Sequence, residues 1–122
     1  MTSMKSIAAT AALAFTLSTG VASAAQFGAI AYSKNTGSYG SSHNYSSRSG
    51  AEEEALSGCS SYADDCRVVV YFRNACGALA VGSNRGYGYG WSAGRSQAQD
   101  IALGNCEAND SGCHVTSWTC SK

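Results

Sequence analysis

Proline is absent from all 122 residues, and charge is scarce, with 13% of the chain Asp, Glu, Lys or Arg. The eight basic and eight acidic side chains cancel. Zero net charge argues against a nucleic-acid partner, whose binders carry a strongly basic footprint. No apolar run reaches the roughly 18 residues that a membrane span needs. Histidine occurs only at His43 and His114. Against these absences stand 44% hydrophobic residues, fourteen glycines and six cysteines. That composition belongs to a folded chain and not to a disordered tail.

Met1 to Ala24 reads as a secretory signal. Lys5 supplies the positive start, Ile7 to Leu17 the short apolar stretch, and Ala22-Ser23-Ala24 the small-x-small cleavage pattern. Cleavage there leaves residues 25–122 as one mature domain, secreted or periplasmic, with seven basic against eight acidic groups. The cysteines (Cys59, Cys66, Cys76, Cys106, Cys113 and Cys120) all follow the signal. An even count in a short exported chain marks a disulfide framework. Structural zinc prefers cysteines separated by about two to four residues. Here the recurrent spacing is Cys-x6-Cys, so no metal site is expected.

The chain repeats itself. Phe27-Gly28-Ala29-Ile30-Ala31-Tyr32 matches Cys76-Gly77-Ala78-Leu79-Ala80-Val81 at an offset of 49. The offset then becomes 47, placing Ala51 to Leu56 on Ala98 to Leu103, Cys59 and Cys66 on Cys106 and Cys113, and Arg67-Val68-Val69-Val70-Tyr71 on His114-Val115-Thr116-Ser117-Trp118. The two copies run over about 27–72 and 76–120. Each opens with a strand, a turn (Asn35-Thr36-Gly37 or Asn84-Arg85-Gly86) and a second strand, which is a hairpin signal. Ser49-Gly50-Ala51-Glu52 and Ser96-Gln97-Ala98-Gln99 fit a capping box at a helix start. Ala51, Ala55 and Cys59, like Ala98, Ala102 and Cys106, then define a narrow helix face of small residues. A last strand follows each second cysteine.

The expected fold is therefore α+β: a tandem β-β-α-β repeat forming one mainly antiparallel sheet or partly open barrel, with two helices and disulfide staples. Copies this short must share a core. Symmetry favours the pairs Cys59–Cys66 and Cys106–Cys113, leaving Cys76–Cys120.

Gly86-Tyr87-Gly88-Tyr89-Gly90-Trp91 is the most conspicuous run. Strand alternation puts Tyr87, Tyr89 and Trp91 on one face and glycines on the other, where a helix can approach closely. The rings serve either as core or as a binding platform for sugars, peptides or a protein. The glycine spacing does not match a dinucleotide fingerprint, and no cofactor is expected. No serine lies in a G-x-S-x-G elbow, and paired cysteines leave no thiolate beside either histidine. Glu52, Glu53 and Glu54 fit the first turn of a helix, where the dipole favours carboxylates. Asp64-Asp65 lacks the ligand spacing of a calcium loop, and no carboxylate pair for glycoside hydrolysis stands out.

Phe27 to Ser33, Ala51 to Cys59, Cys66 to Val70, Arg73-Asn74-Ala75-Cys76-Gly77-Ala78-Leu79-Ala80 and Gly88-Tyr89-Gly90-Trp91 together resemble a family of small secreted bacterial domains of unknown function. That family is common in actinobacteria, including mycobacteria, and occurs in proteobacteria. Gly50 departs from its pattern, which more often has alanine there. The family offers no agreed catalytic residues. Some mycobacterial members are regarded as secreted factors acting on the host, so the resemblance implies a host-directed role as one option.

The leading expectation is a secreted or periplasmic, non-enzymatic interaction module of unknown partner, protein or cell-envelope glycan, contacting it through Tyr87, Tyr89 and Trp91. The alternatives are an envelope inhibitor or immunity protein against a hydrolase or toxin, and a cell-wall glycan binder or hydrolase. The sequence assigns no oligomeric state.

Overall fold

Small side chains dominate the two strands at the centre of the fold. The structure is a computed structural model that describes residues 24–122. The secretory signal read over residues 1–24 lies, but for its last residue, outside the described residues. β1 (Phe27–Tyr32) and β4 (Cys76–Val81) carry the matched segments FGAIAY and CGALAV. β1 lies between β2 (Tyr39–Tyr45) and β3 (Arg67–Arg73), and β4 between β5 (Tyr87–Ser92) and β6 (His114–Cys120), all antiparallel. α1 (Arg48–Ser60) joins β2 to β3, and α2 (Arg95–Glu107) joins β5 to β6. The unit is β-β-α-β, used twice.

The six strands form two three-stranded sheets, β2-β1-β3 and β5-β4-β6, and not the one sheet or partly open barrel expected from sequence. The cause is that each central strand is apolar on both faces. On one face Ala29 and Ala31 meet Ala51, Ala55 and Cys59 of α1, and Ala78 and Ala80 meet Ala98, Ala102 and Cys106 of α2. On the other, Ile30, Tyr32, Val70, Phe72 and Leu79 form a common cluster between the sheets. Edge-to-edge pairing would leave those second faces in water; stacking buries both. The result is four layers, helix, sheet, sheet, helix.

Glycines set how closely the layers approach. A Cβ on Gly40 of β2 would lie 2.2 Å from the Ala55 carbonyl oxygen, and one on Gly88 of β5 would lie 2.1 Å from the Cys106 nitrogen. Each helix thus rests with its backbone on a glycine, its alanine stripe filling the rest. Between the sheets the Phe72 ring occupies the space left by the matched glycines Gly28 and Gly77.

The helix starts differ from the capping boxes expected at Ser49 and Ser96. Ser47 caps α1, its hydroxyl accepting from the Gly50 N–H at 3.1 Å, while Gly94 caps α2 without a side-chain bond. Two extra residues therefore precede each expected start. Glu52, Glu53 and Glu54 consequently fall beyond the first turn of α1, where the helix dipole does not account for them. Glu52 instead pairs with Arg48 at 3.0 Å. The disulfides are Cys59–Cys66 and Cys106–Cys113, each tying a helix end to the following strand, and Cys76–Cys120 across β4 and β6.

Candidate functional site

Alternation along β5 sends Gly88 and Gly90 under α2 and the three rings to the opposite side. The rings then divide. Tyr87 is half-buried and meets Tyr32 with centroids 5.2 Å apart, at the edge of the core between the sheets. Tyr89 and Trp91 stand 45% and 59% exposed. The core reading of this run thus holds for Tyr87, while Tyr89 and Trp91 stand in solvent. Burial raises the Tyr32 phenol above its ordinary pKa, and its hydroxyl donates to the Arg85 carbonyl at 3.0 Å.

Because sheet stacks on sheet, the edge strands β3 and β5 run side by side and leave a seam. At its Trp91 end a cavity of about 590 Å³ is bordered by Phe27, Arg48, Tyr71, Arg73 and Trp91. At its Tyr87 end a smaller one, of about 330 Å³, is bordered by Tyr32, Lys34, Asp65, Arg67 and Tyr87. The Arg48 guanidinium lies over the Tyr71 ring, 3.6 Å from its centroid. Arg95 does the same to Trp118 at 3.8 Å, so the cation–π pair is a repeated element of the two copies.

Sequence reasoning singled out Tyr87, Tyr89 and Trp91 on β5 and did not single out Arg48, Tyr71 or Arg73. The signal was available: the offset of 47 that aligns Tyr71 with Trp118 also aligns Arg48 with Arg95. The symmetry-related side is built differently. There the chain end lies across β2, with the Asn44 N–H donating to the Ser121 hydroxyl at 2.9 Å and the Lys122 N–H to the Asn44 side-chain oxygen at 3.2 Å.

Two of the remaining polar candidates hold hairpin turns. Asp65 accepts from the Ser33 hydroxyl and, at 3.3 Å, from the Asn35 N–H, which pins the first hairpin turn. The Ser33 bond is the main cause that holds its carboxyl below the usual range. Asp110 does the same for the second turn, accepting from the N–H groups of Ser111, Asn84 and Gly86, and its pKa is lowered accordingly. His43 on β2 and His114 on β6 are exposed and belong to different copies. Among the described residues no three His, Cys, Asp or Glu cluster as metal ligands, and every cysteine is in a disulfide.

The profile of a domain of unknown function, DUF4189, matches residues 27–120. The chain belongs to that family. Protein Rv1269c of Mycobacterium tuberculosis (strain ATCC 25618 / H37Rv) and Protein Mb1300c of Mycobacterium bovis are each 37% identical to it over 95 residues, spanning 78% of this chain and 69% of theirs. The NMR structure of Rv1813c from Mycobacterium tuberculosis superposes with a TM-score of 0.59 at 23% identity, covering 97% of this chain and 98% of that one. At that identity the likeness is one of fold. In this DUF4189 chain no helix among the described residues is long and apolar enough to cross a membrane. Its three disulfides fit an oxidising compartment.

Proposed function

We propose that this DUF4189 chain is an exported binding module without catalytic activity of its own, and that the open seam between β3 and β5 is its contact surface. The observation that carries the reading is the exposure of Tyr89 and Trp91 on a strand whose other face is closed by α2. Burying a large apolar side chain contributes about 1.5–3 kcal/mol, so two exposed rings hold free energy that a partner can claim. Tyr and Trp are the side chains in which contact surfaces concentrate binding energy. Their support is rigid: Gly88 and Gly90 lie against the α2 backbone, and Tyr87 anchors the strand in the core.

The non-enzymatic part is supported by chemistry. Six disulfide-bound cysteines supply no thiolate nucleophile. Export is supported by the leader-like residues 1–24 and by the disulfides.

The test immobilises oxidised residues 25–122 and passes an envelope extract of the producing cell over them, with a Tyr89→Ala/Trp91→Ala variant alongside. Tyr87 stays, because its removal would disturb the core. The seam reading expects capture that the folded double variant loses. Equal capture by both proteins sinks the seam as contact surface, and release of soluble product from purified peptidoglycan sinks the non-enzymatic part.

A further inference from the structure

Positive charge is gathered at the seam. The mature residues include seven Lys and Arg against eight acidic groups, yet four of the seven (Lys34, Arg48, Arg67 and Arg73) border its two cavities. The only acid bordering them among the described residues, Asp65, accepts from the Ser33 hydroxyl and the Asn35 N–H. Glu52 takes one edge of the Arg48 guanidinium and the Asp65 charge acts on Arg67, so four cations still face two acids, and Arg73 at the end of β3 is left as an open fork of the kind that grips carboxylates. A neutral chain with this local excess is complementary to an anionic occupant.

The two cavities lie toward opposite ends of β3, which suits an extended occupant. Arg67 to Arg73 spans about 20 Å of strand, and Arg67 borders the cavity at one end of the seam and Arg73 the cavity at the other. A peptide would enter such a groove by adding a strand, but both edges are blunted against that. The outward carbonyls of Tyr87 and Tyr89 already accept from the Asn109 and Asn105 side-chain amides, at 3.2 and 2.9 Å. β3 carries a bulge at Val69, where its register with β1 shifts between Ile30 and Ala31. A bulge disrupts the ladder a new strand would need. What the seam offers is side chains: the Tyr71 and Trp91 rings with Arg48 and Arg73 at one end, and the Tyr87 ring with Lys34 and Arg67 at the other. A pyranose ring presents a C–H face that fits the negative face of an aromatic ring, and its carboxylate fits the arginine fork.

We propose that the seam binds a linear polysaccharide bearing a carboxylate on its sugar units, a polyuronate-type chain. This rests on the binding-module reading and names the chemistry of its ligand. Trp91 is the built-in reporter. The chain has two tryptophans, so Trp118→Phe leaves Trp91 as the sole tryptophan, excited selectively at the red edge where tyrosine does not absorb. A short oligogalacturonate is titrated into that protein, beside a neutral malto-oligosaccharide of equal length and a poly-glutamate of equal charge.

The expected result is a saturable shift of Trp91 emission with the oligogalacturonate, weakened about tenfold or more by Arg67→Gln/Arg73→Gln and by added salt. The neutral sugar should bind at least about tenfold more weakly. Equal binding of the neutral sugar overturns the role of charge and with it the proposal. Equal or tighter binding of poly-glutamate overturns the glycan assignment while leaving the binding module standing. Silence with all three probes overturns the proposal too, and the envelope-capture experiment then decides the module separately.

Discussion

Replacing Gly88 by alanine adds one methyl group to the face of β5 that carries α2. Its Cβ would lie 2.1 Å from the Cys106 nitrogen and 2.5 Å from the Ala102 carbonyl oxygen. Both are helix backbone, so no side-chain rotation relieves the overlap. Restoring an ordinary contact of about 3.5 Å requires α2 to withdraw by about 1.4 Å. A gap of about 1 Å already forfeits up to half the dispersion well of each facing atom pair. The withdrawal therefore strips contacts along the whole Ala98, Ala102 and Cys106 stripe, and the Cys106–Cys113 disulfide resists it. Overpacking a core costs about 1–3 kcal/mol, and this site belongs at the upper end because the clash is with backbone on a tethered helix.

Gly104, in the same helix, is the internal control. It is exposed, and a Cβ there meets nothing within 4 Å. Gly104→Ala should stabilise by about 0.5–1 kcal/mol, the helix-propensity difference. Guanidinium unfolding of the oxidised protein measures both. Gly88→Ala should lower the midpoint by the equivalent of about 3 kcal/mol with the slope unchanged, and Gly104→Ala should raise it. For a domain of this size the melting temperature should shift by about 4–8 °C per kcal/mol. If Gly88→Ala unfolds where the parent does, the close backbone approach that organises each half of the fold is wrong.

Three further outcomes can be read from the same unfolding curves. Phe72→Ala empties the space between Gly28 and Gly77 and should cost about 3–5 kcal/mol; a loss under about 1 kcal/mol would mean that the sheets do not stack on this ring. Removing Cys76–Cys120 as a Cys→Ala pair opens a loop with a sequence separation of 44. On loop-closure entropy that costs about 4 kcal/mol, against about 2.5 kcal/mol for Cys59–Cys66; the reverse order refutes the ranking. Stability should also fall in acid. The pKa values of Asp65 and Asp110 lie lower in the folded chain than in the unfolded one. Their contribution is complete above the unfolded value, about 4, and is lost as pH drops through the folded values. Asp110→Asn should make that acid limb shallower, and an unchanged limb would show that the second hairpin turn is not held by this carboxylate.

Much of this fold could be read from the chain because its signals are local. The offsets of 49 and 47 expose the duplication, the alternation in Tyr87 to Trp91 assigns its glycines to the helix side, and symmetry points to the cysteine pairs. The helices start two residues before the capping patterns at Ser49 and Ser96, because Ser47 and Gly94 stand where the chain leaves its strand. Competing caps two residues apart differ by about 1 kcal/mol or less, which the geometry of the preceding strand easily overrides.

The seam lay outside such reasoning. Nothing in Arg67 to Arg73 signals that this strand lies beside β5, since the two share no backbone ladder and belong to different copies. Whether six strands continue as one sheet or stack as two depends on which apolar faces find each other, and that is a sum over the distant residues Ile30, Phe72 and Leu79. Periodicity tells which residues of a strand share a face. It does not say what that face meets, because burial is a property of the assembled layers. The same stacking half-buried Tyr87 against Tyr32 and left Tyr89 and Trp91 in solvent, although the three rings alternate with glycine alike in the sequence.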